Sequence, residues 1–291
     1  MAISSYECKI CGYRTDAPRP KELGSVRGNT SRFKTTVFHL WKCPRCRTIS
    51  SVDPVNFHDI YADYPLNKQR RLDFFARMTM GNLLRRLRKA GVEKNDAILD
   101  YGCGNGMFVR FLKARSYPNV SGYDPFVEEF ADLPEQTMFD CVVANDVNEH
   151  VSDPVSLVQD CVKHLKPGGL LYVGTPESEG VEMNNLEPHV MKLHQPFHRT
   201  ILSQETLKAL GIEAGLELVR SYRRSYLDTL APFANYRFLD EFSKALGHDM
   251  DLALDPASGK ILLKHPGLWF YAFLGYFFPS AYEPAAVFRK Q

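Results

Sequence analysis

The clearest pattern of apolar and polar positions lies near residue 100. A mostly apolar predicted strand, Ile98–Tyr101, leads into a turn with three alternating glycines, and a second predicted strand follows at Val120–Tyr123. A strand, a tight turn, a helix and a second strand form the first unit of a Rossmann-like α/β sheet. Further along, Asp153 with Pro154 predicts the start of another helix, because aspartate caps a helix and proline fits its first position.

A helical period is visible in the segment from Lys68 to Lys89. One stripe of this segment is mostly apolar, and most of its arginines lie off that stripe, so we expect the stripe to pack on the sheet. The basic face is either solvated surface or a docking surface for an anion such as a nucleotide-linked substrate, RNA or an acidic lipid. The stripe consists of Leu72, Phe75, Thr79, Leu83 and Leu87.

The glycine turn carries the most specific chemical signal. It reads Asp100-x-Gly102-x-Gly104-x-Gly106, and Asp124 stands at the end of the second predicted strand. An acid at that place accepts hydrogen bonds from ribose hydroxyls, while glycine lets a ligand approach the backbone closely. An acid directly before the glycines repels phosphate and suits a ligand with an amino group. The pattern therefore predicts a nucleoside site rather than a dinucleotide site.

These residues resemble motif I of the class I S-adenosylmethionine-dependent methyltransferases. Three later segments strengthen the resemblance: the strand from Phe139 with its Glu149-His150 turn, the helix after Asp153, and the Leu165-Lys166-Pro167-Gly168-Gly169 turn into a further strand. The matches cover about residues 95–222, with a last strand near Ala285–Arg289. The resemblance implies a Rossmann-like seven-stranded methyltransferase sheet.

Cofactor contacts are implied by the same resemblance. The glycine turn would line the methionine and ribose part of S-adenosylmethionine, Asp124 would accept the ribose hydroxyls, and Phe126 would flank the adenine. Residues after the fourth strand would face the methionine end or the acceptor, although Asp146 could instead only cap a turn. The implied contacts are Asp100, Tyr101, Gly102, Cys103, Gly104, Gly106, Asp124, Pro125, Phe126, Asn145, Asp146 and Val147.

One segment departs from the family pattern. Only fourteen residues separate Asp124 from Phe139, which is too few for the helix, third strand and adenine-binding acid that the family places there. We expect the helix to be reduced to a turn, with Asp132 as a candidate adenine contact.

Two C-x-x-C pairs near the start of the chain predict a metal site. Cys8 and Cys11 form the first pair, Cys43 and Cys46 the second. Four thiolates with this spacing can surround one tetrahedral Zn²⁺ ion, so a structural zinc ribbon is favoured over an iron site or a redox disulfide. The intervening residues leave room for a hairpin with strands near Phe33–Trp41.

The remaining cysteines, Cys103, Cys141 and Cys161, lie in apolar contexts and are interpreted as small buried residues. Free thiols, a metal ribbon and the lack of a recognisable signal peptide are typical of a reducing cytoplasm. We therefore expect a cytoplasmic protein without a transmembrane segment.

Charge is distributed unevenly along the 291 residues. The net charge is +2, but residues 1–91 carry 18 Lys or Arg against 7 Asp or Glu, which is +11, and residues 92–291 carry 18 against 27, which is −9.

The length suits one large α/β domain with a small appendage. We divide the chain into a zinc-ribbon-like module (1–52), an aromatic linker (53–67) and a methyltransferase domain (68–291) with a lid-like insertion (226–282).

Two aromatic segments invite specific hypotheses. The stretch from Tyr61 to Pro65 is expected to fold over the mouth of the cofactor site. The segment Leu268–Pro279 is almost entirely aromatic or aliphatic and is too short to span a bilayer. It could form a buried helix of a substrate lid, a homodimer interface, or a contact with a membrane surface or a lipid-like substrate.

Methyl transfer to a hydroxyl or carbon acceptor usually needs a general base. The histidines near the predicted site are the candidates, with His194 and His198 favoured, His150 next, and His189 also considered.

The leading hypothesis is a methyltransferase that acts on a small acceptor, a saccharide or a secondary metabolite. An RNA methyltransferase that uses the basic N-terminal part is the alternative among enzymes. A non-catalytic scaffold whose ribbon recruits a partner is the alternative from another class, although a scaffold has no need of the intact glycine turn.

Overall fold

The computed structural model describes residues 5–62, 64–65, 72–133, 138–279 and 282–291. The strands are β1 (Tyr6–Glu7), β2 (Arg14–Thr15), β3 (Leu23–Arg27), β4 (Val37–Lys42), β5 (Ile49–Ser51), β6 (Ile98–Tyr101), β7 (Val120–Tyr123), β8 (Phe139–Asn145), β9 (Leu165–Gly174), β10 (Thr200–Ile201), β11 (Leu216–Arg224) and β12 (Tyr282–Lys290). The α-helices are α1 (Phe57–Tyr61), α2 (Phe74–Ala90), α3 (Met107–Lys113), α4 (Pro154–Lys163), α5 (Val190–Leu193), α6 (Gln204–Glu213), α7 (Tyr236–Ala245), α8 (Met250–Leu254), α9 (Ile261–Lys264) and α10 (Gly267–Leu274).

The central sheet has the strand order β11-β12-β9-β8-β6-β7. Strands β6 to β9 are parallel, and β12 lies antiparallel between β9 and β11. This arrangement confirms the predicted Rossmann-like α/β fold. Because successive parallel strands run in the same direction, the carboxyl ends of β6, β7 and β8 meet at one edge, and a ligand crevice forms there.

Within the described residues this sheet has six strands, one fewer than the seven expected. The reason is the short segment after β7, where the described part carries a single 3₁₀ turn at Glu128–Phe130. That turn confirms the predicted reduction of the helix. As a consequence β7 is an edge strand of the sheet in the described part of the chain.

Helices cover both faces of the sheet, as expected for buried parallel strands. On one face α2 and α3 pack against the strands through fully buried leucines, including Leu87 and Leu112. On the other face α4 and α6 contribute Val158 and Leu207. The helix α4 begins where the sequence predicts, because Asp153 Oδ1 accepts hydrogen bonds from the amides of the first turn.

Helix α2 begins at Phe74, after the capping side chain of Asp73, rather than at Lys68; residues 68–71 lie outside the described part. Its stripe packs inward as predicted, with Thr79, Leu83 and Leu87 buried. Arg86 is an exception to the basic outer face, because it is buried and donates hydrogen bonds to the carbonyl oxygens of Arg224 and Ser225. This part of the N-terminal positive charge is therefore structural.

The N-terminal region shares a sheet with the rest of the chain. Strands β3, β4 and β5 form an antiparallel sheet whose fourth strand is β10. The loop around Cys46 also rests on α6, since the carbonyl oxygen of Cys46 accepts a hydrogen bond of 2.9 Å from Thr206 Oγ1. Hydrogen bonds therefore join this region to the segment that follows β9.

The predicted helical insertion is present between β11 and β12. It contains α7, α8, α9 and α10, and its small core consists of Phe238, Leu268 and Ala272. None of the helices in the described ranges is long and apolar enough to cross a membrane.

Candidate active site

In the glycine turn between β6 and α3, side chains pack against the first and third glycines, whereas the space beside the second glycine is empty. All three glycines have positive φ angles of 54–76°. A Cβ atom at Gly102 would lie 2.5 Å from the side chain of Val147, and one at Gly106 would lie 2.4 Å from the ring of Phe130. A Cβ atom at Gly104 would meet no atom within 4 Å. The backbone at Gly104 is therefore accessible to a ligand, as a cofactor turn requires.

Asp124 is held directly beside this opening. Its Oδ2 accepts a hydrogen bond of 2.9 Å from the amide of Gly104, and its Oδ1 accepts one of 2.9 Å from the amide of Phe126. Each carboxylate oxygen keeps further acceptor capacity, which suits a pair of ribose hydroxyls. Burial, together with the charge of Asp124, raises the pKa of Asp100 to about 7. These features fit the nucleoside part of S-adenosylmethionine.

At the end of β8, Asn145 and Asp146 turn the chain toward the crevice. Asp146 adopts a φ of 56°, and its Oδ2 accepts hydrogen bonds of 3.0 Å from Asn145 Nδ2 and from the Tyr226 hydroxyl. Desolvation raises the pKa of Asp146 to about 7, and the charge of Glu283 adds to this effect. The group can therefore serve as a hydrogen-bond acceptor or, when protonated, as a donor toward a ligand.

Three histidines from two segments meet next to this crevice. The ring centroids of His150 and His198 are 4.7 Å apart, those of His194 and His198 are 5.0 Å apart, and those of His150 and His194 are 6.5 Å apart. We call these three residues the histidine cluster. His189, the fourth candidate, lies apart from it in a 3₁₀ turn at Glu187–His189.

Hydrogen bonds orient the rings of the histidine cluster. Nδ1 of His198 lies 2.7 Å from the carbonyl oxygen of Lys192, so Nδ1 carries the proton and Nε2 carries the free electron pair. Nδ1 of His194 lies 2.7 Å from Oδ1 of Asn29, which favours the same tautomer, and its buried Nε2 has no partner among the described residues. His150 Nδ1 lies 2.7 Å from the Tyr61 hydroxyl.

Burial keeps all three imidazoles neutral. It lowers the pKa of His198 to about 4, and it lowers the pKa values of His150 and His194, where the neighbouring imidazoles add to the effect. A neutral imidazole with an accessible electron pair is the form that accepts a proton from a reacting group. The cluster is therefore in the protonation state that a general base needs, although a pKa of about 4 makes His198 a weak base.

Aromatic residues of the linker cover this region. The ring of Tyr61 stacks on Phe126 at a centroid distance of 4.8 Å, and the ring of Tyr64 lies 4.8 Å from that of Phe197 and 5.9 Å from that of His194. The linker thus bridges the residue expected at the adenine and the histidine cluster. This geometry agrees with the hypothesis that the segment from Tyr61 to Pro65 folds over the mouth of the site.

Among the residues that the structure describes, two groups of side chains have donors close enough to hold a metal ion. One consists of the four cysteines Cys8, Cys11, Cys43 and Cys46. Their sulfurs approach to 3.4 Å (Cys8 to Cys46) and 3.6 Å (Cys11 to Cys43), close to the spacing of about 3.8 Å expected around a tetrahedral zinc ion. The sulfurs are not bonded to one another. The second group comprises Glu149, His150 and His198.

A sequence profile decides the identity of the fold family. A family described as a methyltransferase domain matches residues 69–221, which is more than half of the chain. The chain belongs to this family. It is therefore an S-adenosylmethionine-dependent methyltransferase. The match gives no support to the alternative of a non-catalytic scaffold.

Related proteins point to the same class. The methyltransferase is 27% identical over 212 residues to the ubiquinone biosynthesis O-methyltransferase of Dinoroseobacter shibae, which covers 60% of this chain and 85% of that protein. The enzyme of that name from Pectobacterium carotovorum is 31% identical over 101 residues, 27% of this chain and 42% of its own length. The human mitochondrial enzyme is 34% identical over 104 residues, 27% of this chain and 28% of its own length. The chain thus spans most of the first relative and less than half of the other two.

Solved structures resemble the methyltransferase at lower identity. The plantazolicin methyltransferase BpumL in complex with SAH has a TM-score of 0.46 and 11% identity, over 81% of this chain and 94% of that chain. Coclaurine N-methyltransferase bound to N-methylheliamine and SAH has a TM-score of 0.42 and 14% identity, over 73% of this chain and 72% of that chain.

Several residues at the site of the methyltransferase escape sequence reasoning. Asn29 lies in the N-terminal region yet orients His194, and Tyr226 lies at the start of the insertion yet binds Asp146. Neither belongs to a motif, so only their position in space reveals them. In the sequence Glu149 stands out only as part of a turn. In the structure it is buried, and its Oε1 lacks a partner in the described part of the chain. Cys103, expected to be buried, is only partly so, while Cys141 and Cys161 are buried as predicted.

Proposed function

We propose that the methyltransferase transfers a methyl group to a hydroxyl oxygen of a small acceptor, with His198 as the general base. The observation that carries this proposal is the neutral His198 ring, whose Nδ1–H is engaged by the Lys192 carbonyl so that Nε2 is free to take a proton. Oxygen acceptors need such a base, whereas an amine acceptor needs only to be deprotonated beforehand. The names of the related O-methyltransferases agree with an oxygen acceptor.

The roles of the cofactor residues follow from the geometry at the glycine turn. Asp124 would accept the ribose hydroxyls, Gly104 would lie against the ligand, and Asp146 would face its methionine end. When bound, S-adenosylmethionine supplies an activated methyl group on a sulfonium. The protein then has to align the acceptor oxygen with that methyl carbon and exclude water. Tyr61 and Tyr64 lie over the histidine cluster and serve that exclusion.

The other members of the cluster position His198. The His194 ring packs edge to face against that of His198 and is tied to Asn29 through Nδ1. His150 reaches the linker through Tyr61. In this arrangement His194 and His150 hold the base in place and close the region from bulk water.

The walls near the cluster suit an acceptor with a flat or apolar face. Tyr64 is half-buried there and packs on the buried ring of Phe197. The ring of a tyrosine binds both phenolic rings and the apolar face of a sugar. A saccharide or a secondary metabolite remains our proposed acceptor, and the relatives add phenolic rings to the classes worth testing. The RNA alternative and a homodimer stay predictions.

The acceptor proposal is tested by a direct screen. Purified protein, S-adenosylmethionine and separate pools of phenols, nucleotide sugars, amines and structured RNA would be incubated and analysed by mass spectrometry for a product that gains one methyl group. We expect a product in a hydroxyl-bearing pool. Methylation confined to amines or to RNA would contradict the proposal.

Asp124→Asn is expected to weaken binding of S-adenosylhomocysteine by about 10- to 100-fold, because each hydrogen bond to a charged carboxylate contributes roughly 1.5–3 kcal/mol. Isothermal titration calorimetry measures this change. Asp16→Asn is the matched control, since Asp16 is exposed in the N-terminal region and belongs neither to the glycine turn nor to the segment after β7. Equal affinities of the Asp124 variant and the wild type would remove Asp124 from the cofactor site.

We further propose that the four cysteines bind one structural zinc ion. Four sulfur ligands complete its coordination and leave no position for a substrate, so the ion would have no catalytic part. The surrounding packing agrees with a structural role, because Trp41 is buried against Cys8 and Cys43 and contacts the rings of Tyr6 and Tyr13.

A further inference from the structure

Helix α10 and the turn after it present an apolar stripe to the outside of the protein. The inward side of the helix consists of Leu268, Ala272 and Gly275, which are buried at helical spacing. The opposite side is equally apolar but exposed, with Phe273 at 54% and Phe277 at 72% exposure. We call this side the outer stripe. Its residues are Trp269, Phe270, Phe273, Leu274 and Phe277.

A helix that is apolar on all sides is normally covered on all sides. Here Leu268 and Ala272 of α10 form a core with Phe238 of α7. On the outer side, Trp269 and Phe273 contact the ring of Phe233 through only part of their surface and stay 44% and 54% exposed. Large exposed apolar patches on soluble proteins mark contact sites for a partner or a membrane. Since none of the described residues covers the exposed part of the outer stripe, its exposure indicates an external occupant.

The charges around the stripe indicate which occupant fits. From Lys260 to Pro279 the chain contains no aspartate or glutamate, while Lys260 and Lys264 are exposed at the start of this segment. Leu263, between these lysines, is 82% exposed. Exposed Trp, Phe and Leu side chains accompanied by lysines are the composition of helices that lie in the interface of an anionic bilayer.

We propose that the outer stripe docks on the surface of a bilayer that contains anionic phospholipids. Helix α10 would lie in the membrane plane, with its aromatic side chains at the boundary between head groups and acyl chains. The lysines would contact lipid phosphates, and the indole of Trp269 suits this boundary because its Nε1–H is already satisfied by the carbonyl oxygen of Leu262. The helix has eight residues, so it rests on the membrane and does not cross it.

The insertion also connects this surface to the candidate active site. It begins beside Tyr226, which binds Asp146, and Arg224 at the end of β11 donates a hydrogen bond to the carbonyl oxygen of Tyr276 next to the outer stripe. The docking proposal does not depend on the proposed reaction, because the stripe, the lysines and their exposure are independent of the acceptor.

Vesicle flotation tests the proposal with the whole zinc-loaded chain. Vesicles of phosphatidylcholine alone are compared with vesicles of phosphatidylcholine and phosphatidylglycerol at three to one. We expect the wild type to float with the anionic vesicles. The partition coefficient of the double variant Phe273→Asp and Phe277→Asp for the anionic vesicles should be at least tenfold lower than that of the wild type. Burial of one phenyl ring in the bilayer raises this coefficient on the order of tenfold. Phe74→Asp is the matched control, because Phe74 is 55% exposed on α2, outside the stripe.

Two further measurements make the test specific. Lys260→Gln with Lys264→Gln should reduce the preference for anionic vesicles. Brominated lipid should quench the fluorescence of Trp269, because the other tryptophan, Trp41, is buried. S-adenosylhomocysteine binding by the Asp variants should match the wild type, which separates loss of docking from loss of the cofactor site.

The proposal is overturned if the wild type fails to float, or if the Phe273 and Phe277 variant floats as well as the wild type. It is also overturned if sedimentation shows a dimer that this variant converts to a monomer while vesicles bind neither protein. In that case the outer stripe is a contact between two copies of the chain.

Discussion

His198→Asn is expected to lower kcat by about 10²- to 10⁴-fold, the range for loss of a positioned general base. Asparagine has no basic nitrogen in place of Nε2 and cannot accept the proton of a hydroxyl acceptor, whereas its Nδ2 amide can still donate to the Lys192 carbonyl. Because His198 contacts the acceptor in this proposal and Asp124 the cofactor, the affinity for S-adenosylhomocysteine should change by less than about threefold. Steady-state kinetics on an acceptor identified in the screen, together with calorimetry, measure both quantities.

Two matched variants accompany this measurement. His189→Asn alters a histidine outside the cluster and should retain wild-type kcat. His194→Asn should lower kcat less than His198→Asn, because His194 acts by holding the His198 ring. An unchanged kcat for His198→Asn would exclude His198 as the base. Loss of wild-type activity with a chelator, restored by a divalent cation while the cysteines stay loaded, would instead indicate that Glu149, His150 and His198 bind a metal.

Cys46→Ser is expected to abolish stoichiometric zinc binding and to destabilise the protein by several kcal/mol, because a structural zinc site contributes its binding free energy directly to folding. The effect should extend beyond the N-terminal region. The Cys46 carbonyl binds Thr206 at the start of α6, and Asn29 binds His194, so loss of the metal should also loosen one wall of the histidine cluster.

Zinc content by mass spectrometry and thermal unfolding with and without chelator check this prediction. Wild-type protein should hold one zinc per chain and lose thermal stability when the metal is removed. Cys161→Ala is the control, since Cys161 is buried far along the chain in α4 and should leave the zinc content unchanged. A metal-free wild type with the same unfolding temperature as the loaded protein would contradict a structural zinc.

Local patterns were sufficient where the chemistry lies in one short segment. The glycine turn and Asp124 are such a case, since a positive φ and an open backbone at Gly104 require glycine at that place. The cap at Asp153 is another, because the capping side chain and the amides it binds are within three residues. Each C-x-x-C pair also predicts that its two sulfurs lie close together, since each pair folds into a tight turn.

Patterns of charge and family likeness were less reliable. The arginine-rich face of α2 is expected from the sequence to be either solvated surface or a docking surface. Arg86 is neither, because it is buried by carbonyl groups from a segment more than a hundred residues away. The expectation of seven strands followed the family average, whereas the short segment after Asp124 leads to six in the described part of the sheet. In that segment the small number of residues, and not the resemblance to the family, decided the number of strands.

The sequence by itself determined the α/β class, the cofactor turn, the pairs of cysteines and the helical insertion, because each depends on residues close together in the chain. Only the tertiary structure decided which histidines meet, that Asn29 and Tyr226 reach the site, and that one side of α10 remains uncovered. These features depend on contacts between distant segments. Neither the spacing of residues nor their local propensity encodes such a contact, since it exists only when the whole chain has packed.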